Sequence, residues 1–340
     1  MSVSQTRSSS CKQTIFQTPL ISPKISLTQK IQRSPSVNPA LRKTLSHMNY
    51  ELENICNMIE ILPIFCSRFK IINKIKSCFK RAIYHAFDNK FKTNAIVKFI
   101  VKHNIRPQTI ALLQYIKNNT SPYIYNIYEV GDAGGFYIII SKYIEGVTLD
   151  KYMINIPNES RIKIIKDILK GIKFLHDNYI QHVDIKPTNI IVSEGEIPII
   201  IDLDSAKIIK KEFYYDTVII GTIPYIPYEI YEHKRYYLKS DIWSFGVTLI
   251  KIFHHIFGKN MTEYGQNSCV IKSLSLPSVT FVTNKNYSEI KFYEEFSKFD
   301  FKELEEYIGK KLSYIIKIMV TEDVMLRPSA TDLLNMFDTE

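Results

Sequence analysis

The residues best able to do chemistry lie in one short run. His182-Val183-Asp184-Ile185-Lys186-Pro187-Thr188-Asn189 holds a carboxylate, an ammonium two residues on and a carboxamide five residues on. Thirteen residues past Asn189 stand Asp202-Leu203-Asp204, directly after the apolar run Ile199-Ile200-Ile201. Carboxylate and amide oxygens are the hard ligands that small divalent cations take. A carboxylate can also accept a proton, and a lysine can offset anionic charge. Such a set suits a reaction governed by positioning and charge neutralisation. Taken singly, each of these residues would be read as a surface or capping group; the signal is in their joint spacing. Cysteine carries no comparable signal. The 5 Cys are odd in number and have no close pair, which gives neither a disulfide framework nor a zinc site. A reducing, intracellular setting, cytoplasmic or nuclear, is expected from this.

The elements around these residues are legible in outline. Residues 1–48 are rich in Ser, Thr, Gln and Pro, poor in large apolar residues, and read as a disordered tail. The tail holds Thr18-Pro19, Ser22-Pro23 and Ser34-Pro35, a pattern on which a proline-directed kinase could act. Its Arg7, Lys12, Lys24, Lys30, Arg33, Arg42 and Lys43 precede the first acid, Glu51, so most of the net charge of +10 sits there. Specific nucleic-acid binding by the rest of the chain is therefore not expected. No apolar run reaches the roughly 18 residues that a membrane span needs. Helical spacing at Leu52, Ile55, Met58-Ile59 and Leu62 predicts a lead-in helix over 49–64. Strands are predicted over 69–75, 81–87, 95–101, 124–130 and 136–142, with a helix over 107–117 and a turn at Asp132-Ala133-Gly134-Gly135. From Glu159 to Tyr179 the period becomes helical, with Ile164-Ile165, Ile168-Leu169, Ile172 and Leu175 on one face. Strands first and helices after predict an α+β chain, a small sheet-rich lobe on a larger helical one.

Further runs follow in order. They are Gly221-Thr222-Ile223-Pro224-Tyr225-Ile226-Pro227-Tyr228-Glu229, Ser240-Asp241-Ile242-Trp243-Ser244-Phe245-Gly246-Val247 and Leu326-Arg327-Pro328-Ser329-Ala330. With the two runs above, their order and spacing resemble the large lobe of eukaryotic protein kinases, over roughly residues 65–338. The resemblance implies a two-lobed kinase fold, with the small lobe at about 65–145 and the large lobe at about 146–338. It also implies ATP and Mg²⁺ as cofactors and a protein as substrate. By resemblance, Asp184 accepts or orients the proton of the attacking hydroxyl and Lys186 offsets charge on the transferring phosphoryl group. Asn189 and Asp202 would hold Mg²⁺, Glu229 and Arg327 would pair to anchor the activation segment, and Asp241 would tie the catalytic loop. Lys186 and Thr222 resemble the Ser/Thr-specific branch; the subfamily stays open. Ala95-Ile96-Val97-Lys98 resembles the strand whose lysine grips the α- and β-phosphates. Fifteen residues before Lys98, Ile83 matches the residue that roofs the adenine. Ser141-Lys142-Tyr143-Ile144 resembles the hinge, with the backbone of Lys142 and Ile144 on adenine and Ser141 as gatekeeper.

The small lobe departs from the family pattern. The glycine-rich loop falls on Lys76-Ser77-Cys78-Phe79-Lys80-Arg81-Ala82-Ile83, and Lys76, Cys78 and Arg81 stand at its three glycine positions. Lys76, Lys80 and Arg81 either replace the lost amide dipoles with full charges or stay solvated at a strand edge. The helix glutamate that should pair with Lys98 falls at Thr109, with Gln108 beside it; Gln108 or Asp202 is the expected neighbour of Lys98. Val183 replaces the arginine that reads a phosphorylated activation loop. Asp204 replaces the glycine after the metal-binding carboxylate, which stiffens the segment or adds a carboxylate to the site. The expected function is a Ser/Thr protein kinase, with a non-catalytic, kinase-shaped binding module as the alternative that the missing glycines and helix glutamate support.

Overall fold

A computed structural model describes residues 67–78, 81–133, 135–154, 156–257, 279–282 and 301–339. The predicted tail, its Ser-Pro and Thr-Pro pairs, the lead-in helix and Lys80 lie outside the described residues.

The small lobe is a five-stranded antiparallel sheet. Its strands are β1 (Phe69–Cys78), β2 (Arg81–Asp88), β3 (Thr93–Val101), β4 (Ile127–Ala133) and β5 (Phe136–Lys142), in the order β1-β2-β3-β5-β4. Strict alternation in β2 explains its place. Ala82, Tyr84 and Ala86 are buried on one face against Val97, Phe99 and Ile140, while Arg81, Ile83 and His85 face the other way. Asp88 ends β2 and is buried, where a two-pronged hydrogen bond from Arg68 (2.8 and 3.1 Å) compensates its charge. Strand β4 starts later than the sequence pattern suggests. Ile124 and Tyr125 have strand-like side chains, yet Ile124 makes an isolated bridge to Ile200 of the large lobe and Tyr125 N–H donates to the Ile200 carbonyl at 3.0 Å. The expected turn at 132–135 contracts accordingly, because β4 runs on to Ala133.

Helix α1 (Pro107–Asn118) packs against β4 and buries Ile110, Leu112, Leu113 and Ile116. Pro107 at its first turn suits a position that needs no N–H donor. The large lobe starts with β6 (Gly146–Thr148), α2 (Leu149–Met153) and the long α3 (Asn158–Asp177). Ile164, Ile165, Ile168, Leu169, Ile172 and Leu175 form the buried stripe of α3, as their spacing predicts. Then come β7 (Ile180–Gln181), β8 (Ile190–Ser193), β9 (Pro198–Ile200), β10 (Lys207–Ile208), β11 (Tyr214–Tyr215), β12 (Ile219–Ile223), α4 (Tyr228–His233) and β13 (Arg235–Tyr236). The chain continues through α5 (Ser240–Phe257), β14 (Val279–Val282), α6 (Lys302–Ile308), α7 (Lys310–Met319) and α8 (Ala330–Asp338). Helix α5 is apolar nearly all round and runs through the core. Gly246 lets it approach α7 closely, since a Cβ there would lie 2.7 Å from Val320. One continuous core joins α1, α3, α5 and α7 with β8 and β9, so both lobes rest on the same apolar body. No helix among the described residues is long and apolar enough to cross a membrane.

Candidate active site

The cleft between the lobes gathers the residues singled out above. From below comes the loop between β7 and β8. Asp241, fully buried at the start of α5, accepts N–H bonds from His182 (2.8 Å) and Val183 (2.9 Å) and faces His176 Nε2 at 3.1 Å. That clamp explains how a β-branched residue holds φ +76° at Val183, a conformation costly for such a side chain. His182 lies between two backbone groups: its Nε2 is 3.0 Å from the Ile201 carbonyl, and its Nδ1 accepts from Asp184 N–H at 3.2 Å. The loop is thereby fixed on the strand end that carries Asp202.

Asp184 is surrounded by donors. Lys186 Nζ reaches one carboxylate oxygen at 2.6 Å, and Thr222 Oγ1 donates to the other at 2.5 Å. Lys186 also reaches Thr222 Oγ1 at 2.8 Å, closing a triangle. Asn189 Nδ2 donates to the Asp184 carbonyl (2.8 Å) and carboxylate (3.1 Å). The amide nitrogen of Asn189 thus faces Asp184, and its oxygen is the atom left for a cation. Gly221 must be glycine here: its φ is +137° and a Cβ would meet Ile226 at 2.9 Å.

From above, β2 and β3 supply Ile83 and Lys98, which are direct partners in the strand register and so share the cleft face of the sheet. The expected pairing of Lys98 resolves toward the strand end that carries Asp202. Lys98 Nζ lies 2.8 Å from Asp202 and 3.1 Å from both oxygens of Asp204. Gln108 points into solvent and takes no part; Thr109 is buried, with its hydroxyl 3.5 Å from the Ala206 carbonyl. Asp204 therefore adds a carboxylate to the site.

Arg81 corrects both expectations for it. It is neither a solvated edge charge nor free for phosphates: its Nη1 donates to Asp202 (3.1 Å) and Asp204 (3.0 Å) across the cleft. Lys76 by contrast is exposed, and Cys78 closes β1 opposite Arg81. The four charges set one another's protonation. Burial opposes the charge of Asp202, but Lys98 and Arg81 outweigh it and hold the carboxyl well below the usual range. Burial and the neighbouring Asp202 push Asp204 up. Tyr125, buried beside this pair, has its hydroxyl pKa raised by burial and then by both carboxylates.

At the hinge, Ser141 is buried on the cleft face opposite Ile96 in the register, and Lys142 and Ile144 follow it. Lys142 N–H already donates to the Asn126 carbonyl at 2.8 Å, so a base contact by Lys142 has to use its carbonyl. A cavity of about 290 Å³ opens beside the hinge between Thr120, Tyr125, Asn126, Lys142, Ile144 and Ile199, and none of the catalytic-loop residues lines it.

Two anchors hold the segment between Asp202 and Glu229. Glu229 takes two hydrogen bonds from the fully buried Arg327 (2.8 and 3.1 Å) and one from Ser240 (2.7 Å). Asp216, buried in the middle of the segment, takes Lys207 Nζ at 2.6 Å and Arg106, the residue preceding α1, at 2.7 Å. Sequence reasoning did not single out Asp216, Lys207 or Arg106. The one available signal was Val183, which supplies no cation at a position where the resemblance has an arginine.

A profile of the protein kinase domain matches residues 81–337. The chain belongs to the protein kinase family. Its relatives include a probable serine/threonine-protein kinase PknB of Lactococcus lactis, 26% identical over 57% of this chain. Calcium-dependent protein kinase 6 of Plasmodium berghei is 27% identical over 90% of the chain, and the mitogen-activated protein kinase kinase SIPKK of Nicotiana tabacum is 25% identical over 55%. The matched part covers 33%, 18% and 54% of those three proteins, so the chain spans about half their length or less. The small sheet-rich lobe and the helical large lobe are those of a two-lobed kinase fold.

Proposed function

We propose that this chain is a serine/threonine protein kinase that moves the γ-phosphoryl group of ATP to hydroxyls of a protein substrate. The observation that carries the reading is the Asp184–Lys186–Thr222 triangle, 2.5–2.8 Å on each side, on a loop that His182 ties to the Ile201 carbonyl just before Asp202. Asp184 orients the acceptor hydroxyl and takes its proton. Thr222 and Lys186 fix the Asp184 carboxylate, and Lys186 offsets charge on the group in flight.

The donor set fits Mg²⁺. Asn189 has an amide oxygen to offer, Asp202 and Asp204 are hard carboxylates, and the pair already draws two cations. Asn189 and Asp202 are its holders in this reading, and the ion when bound neutralises phosphate charge. Lys98 takes the α- and β-phosphates, Ile83 covers the adenine, and the Lys142 carbonyl and Ile144 N–H meet its edge. Lys76 and Cys78 contribute backbone at the loop tip, where no glycine brings the amides closer. Residues 65–338 are the catalytic unit and residues 1–48 a tail; its Thr18, Ser22 and Ser34 are acceptor sites for a proline-directed kinase, and an intracellular setting accords with the free-thiol cysteine usage. The test is transfer from labelled ATP to a Ser/Thr peptide library by the full chain and by Asp184→Asn. Transfer that disappears in the variant supports the proposal; equal transfer by both, or none by either, overturns it.

A further inference from the structure

We infer that Arg81 is a tethered counter-cation of the Asp202–Asp204 pair, which a divalent metal ion must displace before it can seat. The inference rests on the reading of Asp202 as a metal ligand and goes beyond it. Arg81 stands at the end of a hairpin in the small lobe, 121 residues from Asp202 in sequence. Its Nη1 is bonded to the Oδ2 atoms of both carboxylates, at 3.1 and 3.0 Å. Two carboxylate oxygens converging on one positive nitrogen describe a seat for a single cation. Lys98 occupies the opposite side of the same pair through Oδ1 of Asp202 and both oxygens of Asp204.

The charge count makes the consequence specific. Two carboxylates face one ammonium and one guanidinium, so the site is neutral as it stands. A divalent ion added to that arrangement would put four positive charges on two negative ones in a largely water-excluded cleft, where such repulsion is poorly screened. Lys98 is buried in β3, and the acids that act on it are Asp202 and Asp204. Arg81 is at the free end of β2, and its side chain is the more exposed of the two cations, 23% against 10%. Arg81 is therefore the group that leaves. A charge-assisted hydrogen bond lost without replacement corresponds to roughly a tenfold to hundredfold change in an equilibrium constant. Metal affinity of the unmodified chain is lowered by that factor. Higher salt weakens the competition, because the outer side of the Arg81 contact is open to screening.

The test uses the full chain without nucleotide and Mn²⁺ as a paramagnetic probe, titrated by electron paramagnetic resonance and by calorimetry. Arg81→Gln removes the charge and leaves a shorter, neutral amide side chain; Asp202→Asn in both backgrounds locates the ion. The expected result is Mn²⁺ binding about tenfold to hundredfold tighter in Arg81→Gln than in the parent, abolished by Asp202→Asn. The gap should narrow as KCl is raised. Arg81→Gln should also melt earlier than the parent without metal and gain more from Mn²⁺. Equal Mn²⁺ affinity in parent and Arg81→Gln overturns the inference, as does a complete lack of binding in both. The kinase proposal fails separately. A chain without phosphotransfer whose Arg81→Gln form gains Mn²⁺ affinity sustains this inference and sinks that one, whereas an active chain with equal affinities does the reverse.

Discussion

Replacing Asp216 by Ala removes the carboxylate that ties the activation segment to the small lobe. Lys207, 5% exposed, then keeps its ammonium in the protein with no counter-charge, while Arg106 is 41% exposed and reverts to water. Breaking a buried pair from one side costs about 3–5 kcal/mol; an exposed partner contributes about 0–1 kcal/mol. A ceiling comes from Lys207 itself. Burial already lowers its pKa, with Asp216 opposing that shift. Once unpaired, Lys207 can lose its proton, and bringing a lysine from a pKa of about 10.4 to neutrality costs about 5 kcal/mol. At about 2–4 °C per kcal/mol for a domain of this size, global unfolding would shift by roughly 6–20 °C. If the segment opens locally for less than this, the loss appears instead as hydrogen exchange confined to residues 202–229 and the start of α1. The functional corollary follows from chemistry: Asp216 already draws two cations onto the segment, and Val183 offers no arginine to read a phosphate. Phosphatase treatment of the wild-type chain is expected to leave peptide phosphorylation unchanged, while Asp216→Ala slows it and raises exchange in the segment. Phosphatase treatment that collapses wild-type activity, or Asp216→Ala with unaltered exchange and melting, would refute the reasoning.

Asp184→Asn and Asp202→Asn should each lower phosphotransfer by orders of magnitude, because in the proposed function both act on charge in the transition state; steady-state kinetics with unchanged circular dichroism is the check. Glu229→Ala leaves the fully buried Arg327 charged, since a guanidinium does not deprotonate, and urea denaturation should show a loss of about 3–5 kcal/mol. A loss below about 1 kcal/mol would mean that the carbonyls of Thr321, Lys239 and Glu322 suffice for Arg327. The Asp216 carboxyl lies below its ordinary pKa: burial opposes the shift, but Lys207 and Arg106 outweigh it. Its stabilisation is therefore present above the unfolded value, about pH 4, and is lost as pH falls through the lower folded value. Thermal melts between pH 6 and pH 3 should accordingly show a shallower acid limb in Asp216→Asn than in the parent.

What was legible in the sequence divides along physical lines. Strand β2 and helix α3 bury one face each, so their periods of 2 and 3.6 were written in the residues. The catalytic loop was legible because Asp184, Lys186 and Asn189 sit within six residues on one rigid turn, where spacing and geometry coincide. Ile124 and Tyr125 misled because β-branched and aromatic side chains also suit a stretch that docks on another lobe. The pairing of Arg81 was hidden for a different reason. A charged residue at the end of a hairpin can face solvent or the cleft, and a partner more than a hundred residues away leaves no periodic trace. Asp216, Lys207 and Arg106 share that property: each alone is an ordinary surface residue type, and only folding brings them into one buried cluster.

The three departures in the nucleotide cleft are best understood as one coupled exchange. Where the family pattern has a glutamate on α1 to pair with the strand lysine, this chain has Thr109, buried against the Ala206 carbonyl. That loss alone would leave Lys98 with Asp202 as its sole counter-charge. Asp204 supplies the missing carboxylate from the opposite lobe, 3.1 Å from Lys98. A second carboxylate beside Asp202 would in turn be costly, as the upward push on Asp204 shows. Arg81, at a position where the pattern has glycine, meets that cost by bonding both acids. Each substitution is unfavourable alone and compensated by the next, which is how neighbouring sites behave when their energies do not add. Random decay of a nucleotide site would leave unpaired charges, whereas all four charges here are paired. The cleft is thus bridged by ion pairs from Arg81 and Lys98 of the small lobe to Asp202 and Asp204 of the large one, and the three departures stand or fall together.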